Sequence, residues 1–161
     1  MSLPAGAWTL DATHPVLRLQ TQVKGRPFTL TAPIHSADLL VGEELSLTMG
    51  IAIDKVSTGS FLLDAGLRGF LVGHGAHELL FSGTGATGAE GMHVSGLAEA
   101  GQVAVEMALE LQEFGSALGS LTVEVRGNAV FQDVNVPVPG IGSLSELVLE
   151  VQVELGLIAG R

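Results

Sequence analysis

The sequence predicts an all-β domain: an antiparallel β-barrel of about eight strands with one short helix. Most of the 161-residue chain alternates apolar and polar residues with a period of two, as strands with one buried face do. Short turns, many of them containing glycine, separate these segments and favour antiparallel neighbours. Closure into a barrel would remove the exposed edges that so many strands would otherwise leave.

Nine segments are predicted to form strands. They are Ala7–Asp11, Val16–Lys24, Phe28–His35, Leu45–Ile53, His77–Gly83, Met92–Glu99, Gln102–Glu113, Leu121–Phe131 and Leu147–Leu155. The phase changes near Gly127, which predicts a bulge there. The glycine-rich stretch Gly83–Gly91 is predicted to be a turn. Val134–Gly142 contains two prolines and is predicted to be a loop or a broken edge segment.

The stretch Val56–Phe70 is the one segment with the pattern of an amphipathic helix. Its apolar residues, among them Leu67 and Phe70, recur at helical spacing. Asp64 and Arg68 lie four residues apart, in the order that favours an ion pair along a helix. A lone amphipathic helix among strands must cover a sheet or the mouth of a barrel.

Composition excludes several classes of protein. The net charge of −10, from 17 acids and 7 bases, argues against binding to nucleic acid or to anionic membrane surfaces. Cysteine is absent, which excludes disulfides and thiol chemistry. The mean hydropathy is +0.47, but no apolar run approaches the roughly 18 residues of a membrane-spanning helix, so stable membrane insertion is not expected. We expect a single domain over residues 1–161. Because no signal peptide opens the sequence, we expect this domain to be cytoplasmic; if a signal peptide was trimmed, the protein would be periplasmic or secreted.

Two motifs resemble cofactor or metal sites. Gly83–Gly88 matches G-x-G-x-x-G, but a dinucleotide site also needs a helix that starts at the last glycine, and a strand is predicted there. His74 and His77 have the spacing H-x-x-H, but zinc needs three or four ligands and nothing brings the other histidines near. We therefore expect neither a cofactor nor a metal ion.

No catalytic motif is evident in the sequence. The nucleophile elbow G-x-S-x-G is missing, and the serines of the glycine-rich loops are typical of turns. A non-enzyme is therefore predicted. A small hydrolase or isomerase that uses Asp11, His14 or His77 remains an alternative.

The inward-facing apolar residues are the candidate binding site. An eight-stranded barrel is either filled by its own side chains or just wide enough for one small ligand. Aromatic residues make up only 4% of the chain and tyrosine is absent, so an aliphatic lining suited to a long hydrocarbon is expected. The predicted ligand-binding residues are Leu17, Leu19, Phe28, Leu30, Leu47, Met49, Ile51, Phe81, Met107, Leu109 and Phe131, with Phe61, Leu67 and Phe70 from the helix. A filled barrel that serves as a structural or dimerisation module is the alternative.

Several segments resemble the YceI-like domain family. Trp8–His14 (W-T-L-D-A-T-H) is similar to that family's opening W-x-L-D-x-x-H, and Glu78–Ser82 is similar to one of its strands. Ser57–Gly59 followed by Asp64-x-x-Leu67 resembles its turn and helix. The resemblance implies an extended lipocalin-like β-barrel with the helix beside its mouth. It further implies binding of an isoprenoid or other long-chain lipid, such as a polyprenyl chain, by a protein that is often a homodimer.

Overall fold

The protein was analysed as a computed structural model that describes residues 4–11, 15–23, 26–59, 61–73, 75, 77–88, 91–100, 103–138 and 142–160. Side chains are described for these residues except 22, 23, 26, 61–63, 67, 70, 71, 88, 100, 103, 131–138 and 142–147. The strands are β1 (Gly6–Leu10), β2 (Val16–Val23), β3 (Arg26–Val41), β4 (Leu45–Ile51), β5 (Leu79–Gly88), β6 (Gly91–Ala100), β7 (Val103–Ala117), β8 (Ser120–Val138) and β9 (Gly142–Ala159). A short 3-10 helix (Ile53–Lys55) and one α-helix, α1 (Phe61–Gly73), lie between β4 and β5.

The strands close into an antiparallel barrel with eight positions. β2 pairs with the first half of β3, and β1 pairs with the last residues of β3. The two short strands β1 and β2 therefore fill one position of the barrel together. Around the barrel, β9, β8, β7, β6, β5 and β4 follow in order, and β4 pairs with β3 to close the ring. The predicted fold class, a lipocalin-like antiparallel barrel with one short helix, is confirmed.

The two ends of the barrel differ. At the helix end, α1 connects β4 to β5, and β3 and β9 begin there. At the hairpin end, short turns at 42–44 and 118–119 join β3 to β4 and β7 to β8. The β8–β9 hairpin is the longest part of the helix end, because β8 pairs with β7 only as far as Phe131 and continues to Val138.

The core follows from the alternation of the strands. Every second residue of the wall faces inward, and these residues form one cluster that spans the described strands from β1 to β9. In β7, for example, Val105, Met107 and Leu109 are buried, whereas Glu106 and Glu110 are exposed. The period of two that predicted the strands is therefore the period of burial.

The helix is shorter at its start than predicted. Val56–Phe70 was expected to be helical, but α1 begins at Phe61 and ends at Gly73. Ser57 is extended, because its amide and carbonyl exchange hydrogen bonds of 2.8 Å with the backbone of Thr31 on β3. The bridge to the barrel wall therefore competes with the helix over the residues before Ser60.

The prediction of a turn at Gly83–Gly91 is wrong for Gly83–Gly88, which belongs to β5, and for Gly91, the first residue of β6. β5 runs through to Gly88 and pairs with β6 residue by residue. Gly85 lies at an inward position where a Cβ atom would be 1.6 Å from the carbonyl oxygen of His93 on β6. Glycine is needed here because two strand backbones approach closely, not because the chain reverses.

The predicted bulge near Gly127 is also wrong. β8 pairs with both neighbours in unbroken register through this residue, and a Cβ atom would lie 1.9 Å from the carbonyl oxygen of Ala108. The register shifts lie elsewhere, between Glu113 and Gly115 and between Gln132 and Val136. As at Gly85, a close approach of backbones explains the glycine.

The prediction of a loop over Val134–Gly142 is wrong as far as Val138, since β8 extends to that residue; β9 begins at Gly142, and residues 139–141 lie outside the described residues. The alternative of a broken edge segment agrees better with the structure. Pro137 pairs with Ser143 of β9 beyond the last residue of β8 that pairs with β7, and the ladder is irregular just before it. Proline removes one N–H donor from a ladder, which a sheet tolerates at its edges.

Candidate apolar binding site in the barrel

Most of the predicted ligand-binding residues lie together inside the barrel. One buried cluster contains Leu17, Leu19, Leu47, Met49, Ile51, Phe81, Met107 and Leu109. Phe28 and Leu30 are half-buried on β3 near the helix end, where Leu30 packs against the same cluster. The side chains of Phe61, Leu67, Phe70 and Phe131 lie outside the described part of the structure. A ligand-binding role for these residues stays a prediction.

The described part of the interior is closely packed. Leu47 is 0% exposed, Leu17 is 1% exposed and Phe81 is 2% exposed, so almost none of their surface is open to water. Side chains that lined an open, water-filled cavity would be exposed to that water. A ligand would therefore have to displace side chains here, or bind nearer the helix end where Phe28 and Leu30 are partly exposed.

The barrel wall has a weak line between β2 and β9, which we call the β2–β9 seam. Only three residue pairs join these strands, ending towards the helix end at Gln20 and Glu150. Just beyond that pair, the hydroxyl of Thr21 donates a hydrogen bond of 2.8 Å to the carbonyl oxygen of Val148. By contrast, β2 pairs with β3 along its whole length. Sequence alternation does not reveal the seam, because it depends on how far two distant strands stay paired.

A hollow of about 500 Å³ lies at the end of this seam. Its lining includes residues that face outward, such as Gln20 and Thr29, and residues with the inward phase of the wall, Thr21 and Phe28. The described β2–β9 ladder has ended here, and the hydroxyl bond of Thr21 spans the two strands at this point.

Asp64 and Arg68, the two residues predicted to form an ion pair, both bind the segment that precedes α1. Asp64 accepts hydrogen bonds from the amide and the hydroxyl of Thr58, at 2.5 and 2.6 Å, and one of 3.3 Å from the hydroxyl of Ser57. Arg68 donates instead to the carbonyl oxygen of Val56, at 2.9 Å. The hydrogen bonds from Thr58, more than the positive charge of Arg68, hold the pKa of Asp64 below its ordinary value. Since Ser57 is bridged to β3, these bonds fasten the start of α1 to the barrel wall.

Two histidines pair with carboxylates on the outer surface near α1. His35 Nε2 lies 3.2 Å from Glu78 Oε2, and His77 Nδ1 lies 4.0 Å from Asp54 Oδ2. His77 and Glu78 thus have different partners, and His74 lies outside the described residues. Among the residues that the structure describes, no three histidine or acidic side chains gather as a metal ion would require. The zinc site that H-x-x-H resembles gains no support.

The catalytic alternative is only partly visible in the structure. The Asp11 amide donates a hydrogen bond of 3.0 Å to the Gly156 carbonyl oxygen, and the Asp11 carboxylate lies against the backbone of Gly156. His14 lies outside the described residues. A joint role for Asp11 and His14 stays a prediction.

One buried charge lies on the outer side of the wall. Glu124 is 6% exposed and forms an ion pair with Arg126, two residues along β8. Glu124 lies directly opposite Glu154 on β9, and two like charges in that position repel each other. The ion pair with Arg126 offsets this repulsion. Nothing in the alternation of β8 distinguishes this glutamate from the exposed ones.

Comparison with known proteins supports the fold. No family model and no curated protein matches the chain. Among solved structures, a polyisoprenoid binding domain from Saccharophagus degradans, implicated in plant cell wall breakdown, superimposes with a TM-score of 0.60 at 15% identity, over 95% of this chain and 98% of that one. BcnA of Burkholderia cenocepacia superimposes with a TM-score of 0.51 at 14% identity, over 94% and 99%. The resemblance to YceI-like domains is thus confirmed at the level of the fold. In the described part of the chain, no helix has the length and apolar character that crossing a membrane would require.

Proposed function

We propose that this protein binds a long apolar molecule, of the isoprenoid class, inside its barrel and without catalysis. The observation that carries the proposal is the apolar interior of a closed barrel: in the described part of the chain, Glu124 is the one buried residue with a polar or charged side chain, and it lies on the outer side of the wall. Such an interior offers a hydrocarbon chain about 25 cal/mol for each Å² removed from water and offers a polar ligand no hydrogen bonds. The similar fold of a polyisoprenoid binding domain supports this choice of ligand.

The packing of the core limits where the ligand binds. Because the described interior is filled, we propose that the chain occupies the helix end first, beside Phe28 and Leu30, and reaches further by displacing flexible side chains. Met49 and Met107 are both part of the cluster, and methionine adapts its shape more readily than branched residues do. A role in transport would follow from reversible binding of this kind.

The experiment is binding of N-phenyl-1-naphthylamine, a neutral apolar fluorophore, together with native mass spectrometry of the purified protein. We expect saturable fluorescence enhancement and a co-purified lipid. Leu30→Trp would fill the half-buried position and weaken binding at least tenfold. Leu97→Trp is the matched control, since Leu97 is 42% exposed on the outer wall and the same change there should leave binding intact.

A filled barrel without a ligand is the second candidate, and the near-zero exposure of the core favours it. It predicts ligand-free spectra and no uptake of the fluorophore by the wild type. That outcome would refute the binding proposal. Equal binding by the wild type and Leu30→Trp would refute only the location at the helix end.

A homodimer is part of the proposal. Phe114, Leu118 and Ile158 are large apolar side chains left exposed at the hairpin end, and a second copy would cover them. Analytical ultracentrifugation of the wild type and of Leu118→Glu tests this, with a dimer expected only for the wild type. A cytoplasmic location is proposed as well, and fractionation of the source cells would test it.

A further inference from the structure

We infer that the β2–β9 seam is the entrance of the barrel, and that it admits a chain whose polar end is uncharged and bears a hydroxyl group. The inference rests on the proposed function, since an entrance presupposes a ligand. An entrance here lies in the barrel wall rather than at α1.

The first argument is the cost of opening. A barrel wall opens where the fewest backbone hydrogen bonds join two strands, because each bond must be exchanged for one with water. The β2–β9 ladder has three residue pairs and the β1–β9 ladder beside it has three more, so six pairs join this boundary of the ring, whereas nine join β5 and β6. Beyond the last pair, one hydroxyl bond from Thr21 to the Val148 carbonyl oxygen takes over.

The second argument is that space already exists at this point. The hollow of about 500 Å³ falls within the range of small-ligand pockets and reaches Phe28, which has the inward phase of the wall. Leu30, two residues further along β3, is half-buried and packs against the core cluster. A chain that enters the hollow therefore meets partly exposed apolar side chains first and the packed core next.

The third argument concerns the polar end of the ligand. Across β3, β2, β9 and β8 the register places Thr29, Gln20, Glu150 and Asn128 in one row on the outer wall, and all four line the hollow. Hydroxyl, amide and carboxylate groups can accept hydrogen bonds from an alcohol, whereas the carboxylate of Glu150 repels an anionic end group. Two cations, Arg18 and Arg126, lie further along the outer wall; neither lines this hollow, and Arg126 is paired with Glu124.

The absence of cysteine allows a direct test. Gln20 and Glu150 are directly opposite each other, so Gln20→Cys/Glu150→Cys should form a disulfide that locks the seam. Thr84→Cys/Ser95→Cys is the matched control, an exposed and directly opposite pair across β5 and β6. Stopped-flow uptake of N-phenyl-1-naphthylamine should slow at least tenfold in the oxidised seam variant and recover on reduction, while the control is unaffected by oxidation.

A second variant tests the same entrance without a cross-link. Thr21→Val removes the hydroxyl bond but keeps the shape of the side chain, and it should speed uptake about two- to tenfold. If the locked seam and Thr21→Val both take up the fluorophore at the wild-type rate, the entrance lies elsewhere, although the proposed function stands. If the wild type takes up none, the function and the entrance are both refuted.

Competition with two ligands that share one chain tests the end group. Geranylgeraniol should displace the fluorophore at least tenfold more effectively than geranylgeranyl diphosphate, and Glu150→Gln should reduce this preference. Equal displacement by the alcohol and the diphosphate would overturn the inference of an uncharged end.

Discussion

Two glycine-to-alanine substitutions in this chain should have opposite effects, because one glycine lies between strands and the other on an open helix surface. At Gly85 a Cβ atom would lie 1.6 Å from the His93 carbonyl oxygen, about half of an ordinary contact distance. Nothing lies within 4 Å of the Cβ position at Gly66, which is on the exposed side of α1. The same added methyl group therefore meets a backbone in one case and solvent in the other.

The magnitudes follow from these environments. Gly85→Ala forces β5 and β6 apart, with an overpacking cost of about 1–3 kcal/mol and the loss of adjacent ladder bonds at about 1 kcal/mol each. We expect a loss of about 3–5 kcal/mol in the free energy of unfolding. Gly66→Ala should stabilise the protein by about 0.5–1 kcal/mol, since alanine is the better helix former.

Urea unfolding followed by circular dichroism measures both changes from the transition midpoints. Gly69, also on α1 with nothing within 4 Å of its Cβ position, provides a second control for the helix. A Gly85→Ala protein as stable as the wild type would refute the argument that glycine here accommodates a close approach of strands. The turn predicted from the sequence would then again be the simpler explanation of this glycine.

Three further predictions concern the core, the helix and the buried charge. Leu47→Ala should lower the free energy of unfolding by about 2–5 kcal/mol, whereas Leu97→Ala on the outer wall should lower it by less than about 0.5 kcal/mol. Urea titration measures both changes, and equal losses would mean that the described core is not packed. Folding lowers the pKa of Asp64 from its unfolded value of about 3.8. The contribution of Asp64 to stability is therefore full above pH 3.8 and is lost as the pH falls through the folded pKa. The difference in Tm between the wild type and Asp64→Asn should therefore shrink between pH 6 and pH 3, and a constant difference would contradict this role. Arg126→Gln should destabilise by about 1–3 kcal/mol by leaving Glu124 without its partner, and adding Glu124→Gln should restore most of the loss in thermal unfolding.

Alternation alone predicted most of the barrel, because burial in a strand depends on local phase. The inward set on β4, Leu45, Leu47, Met49 and Ile51, is buried as the pattern indicated. Glycines were misread, because their meaning depends on which backbone passes beside them. Gly85 and Gly127 are adjacent to neighbouring strands at a distance that no local rule could supply.

The sequence predicted which residues line the candidate site, but it did not predict where a ligand could enter. The apolar lining can be read from residues such as Leu17 and Phe81 because their side chains must point inward. The hollow at Thr21 and Val148 could not be predicted, because it arises where two strands more than a hundred residues apart stop pairing. The start of α1 was misplaced for a similar reason, since Ser57 bonds to a strand that precedes it by 26 residues.

These features together argue that the wall, rather than the helix, is the part that moves. The start of α1 is fastened by Asp64 to Thr58 and by Arg68 to the Val56 carbonyl oxygen, and the adjoining residue Ser57 is bridged to β3. To lift this end of the helix, all of these bonds must break, and the charge-assisted bonds to Asp64 are among the stronger ones in the fold. Among the described residues, the end of the β2–β9 seam is held beyond its last residue pair by one neutral hydroxyl bond. Opening the end of the seam therefore costs less than lifting the start of α1, and a ligand that enters there leaves the helix, the rest of the ring and most of the packed core in place.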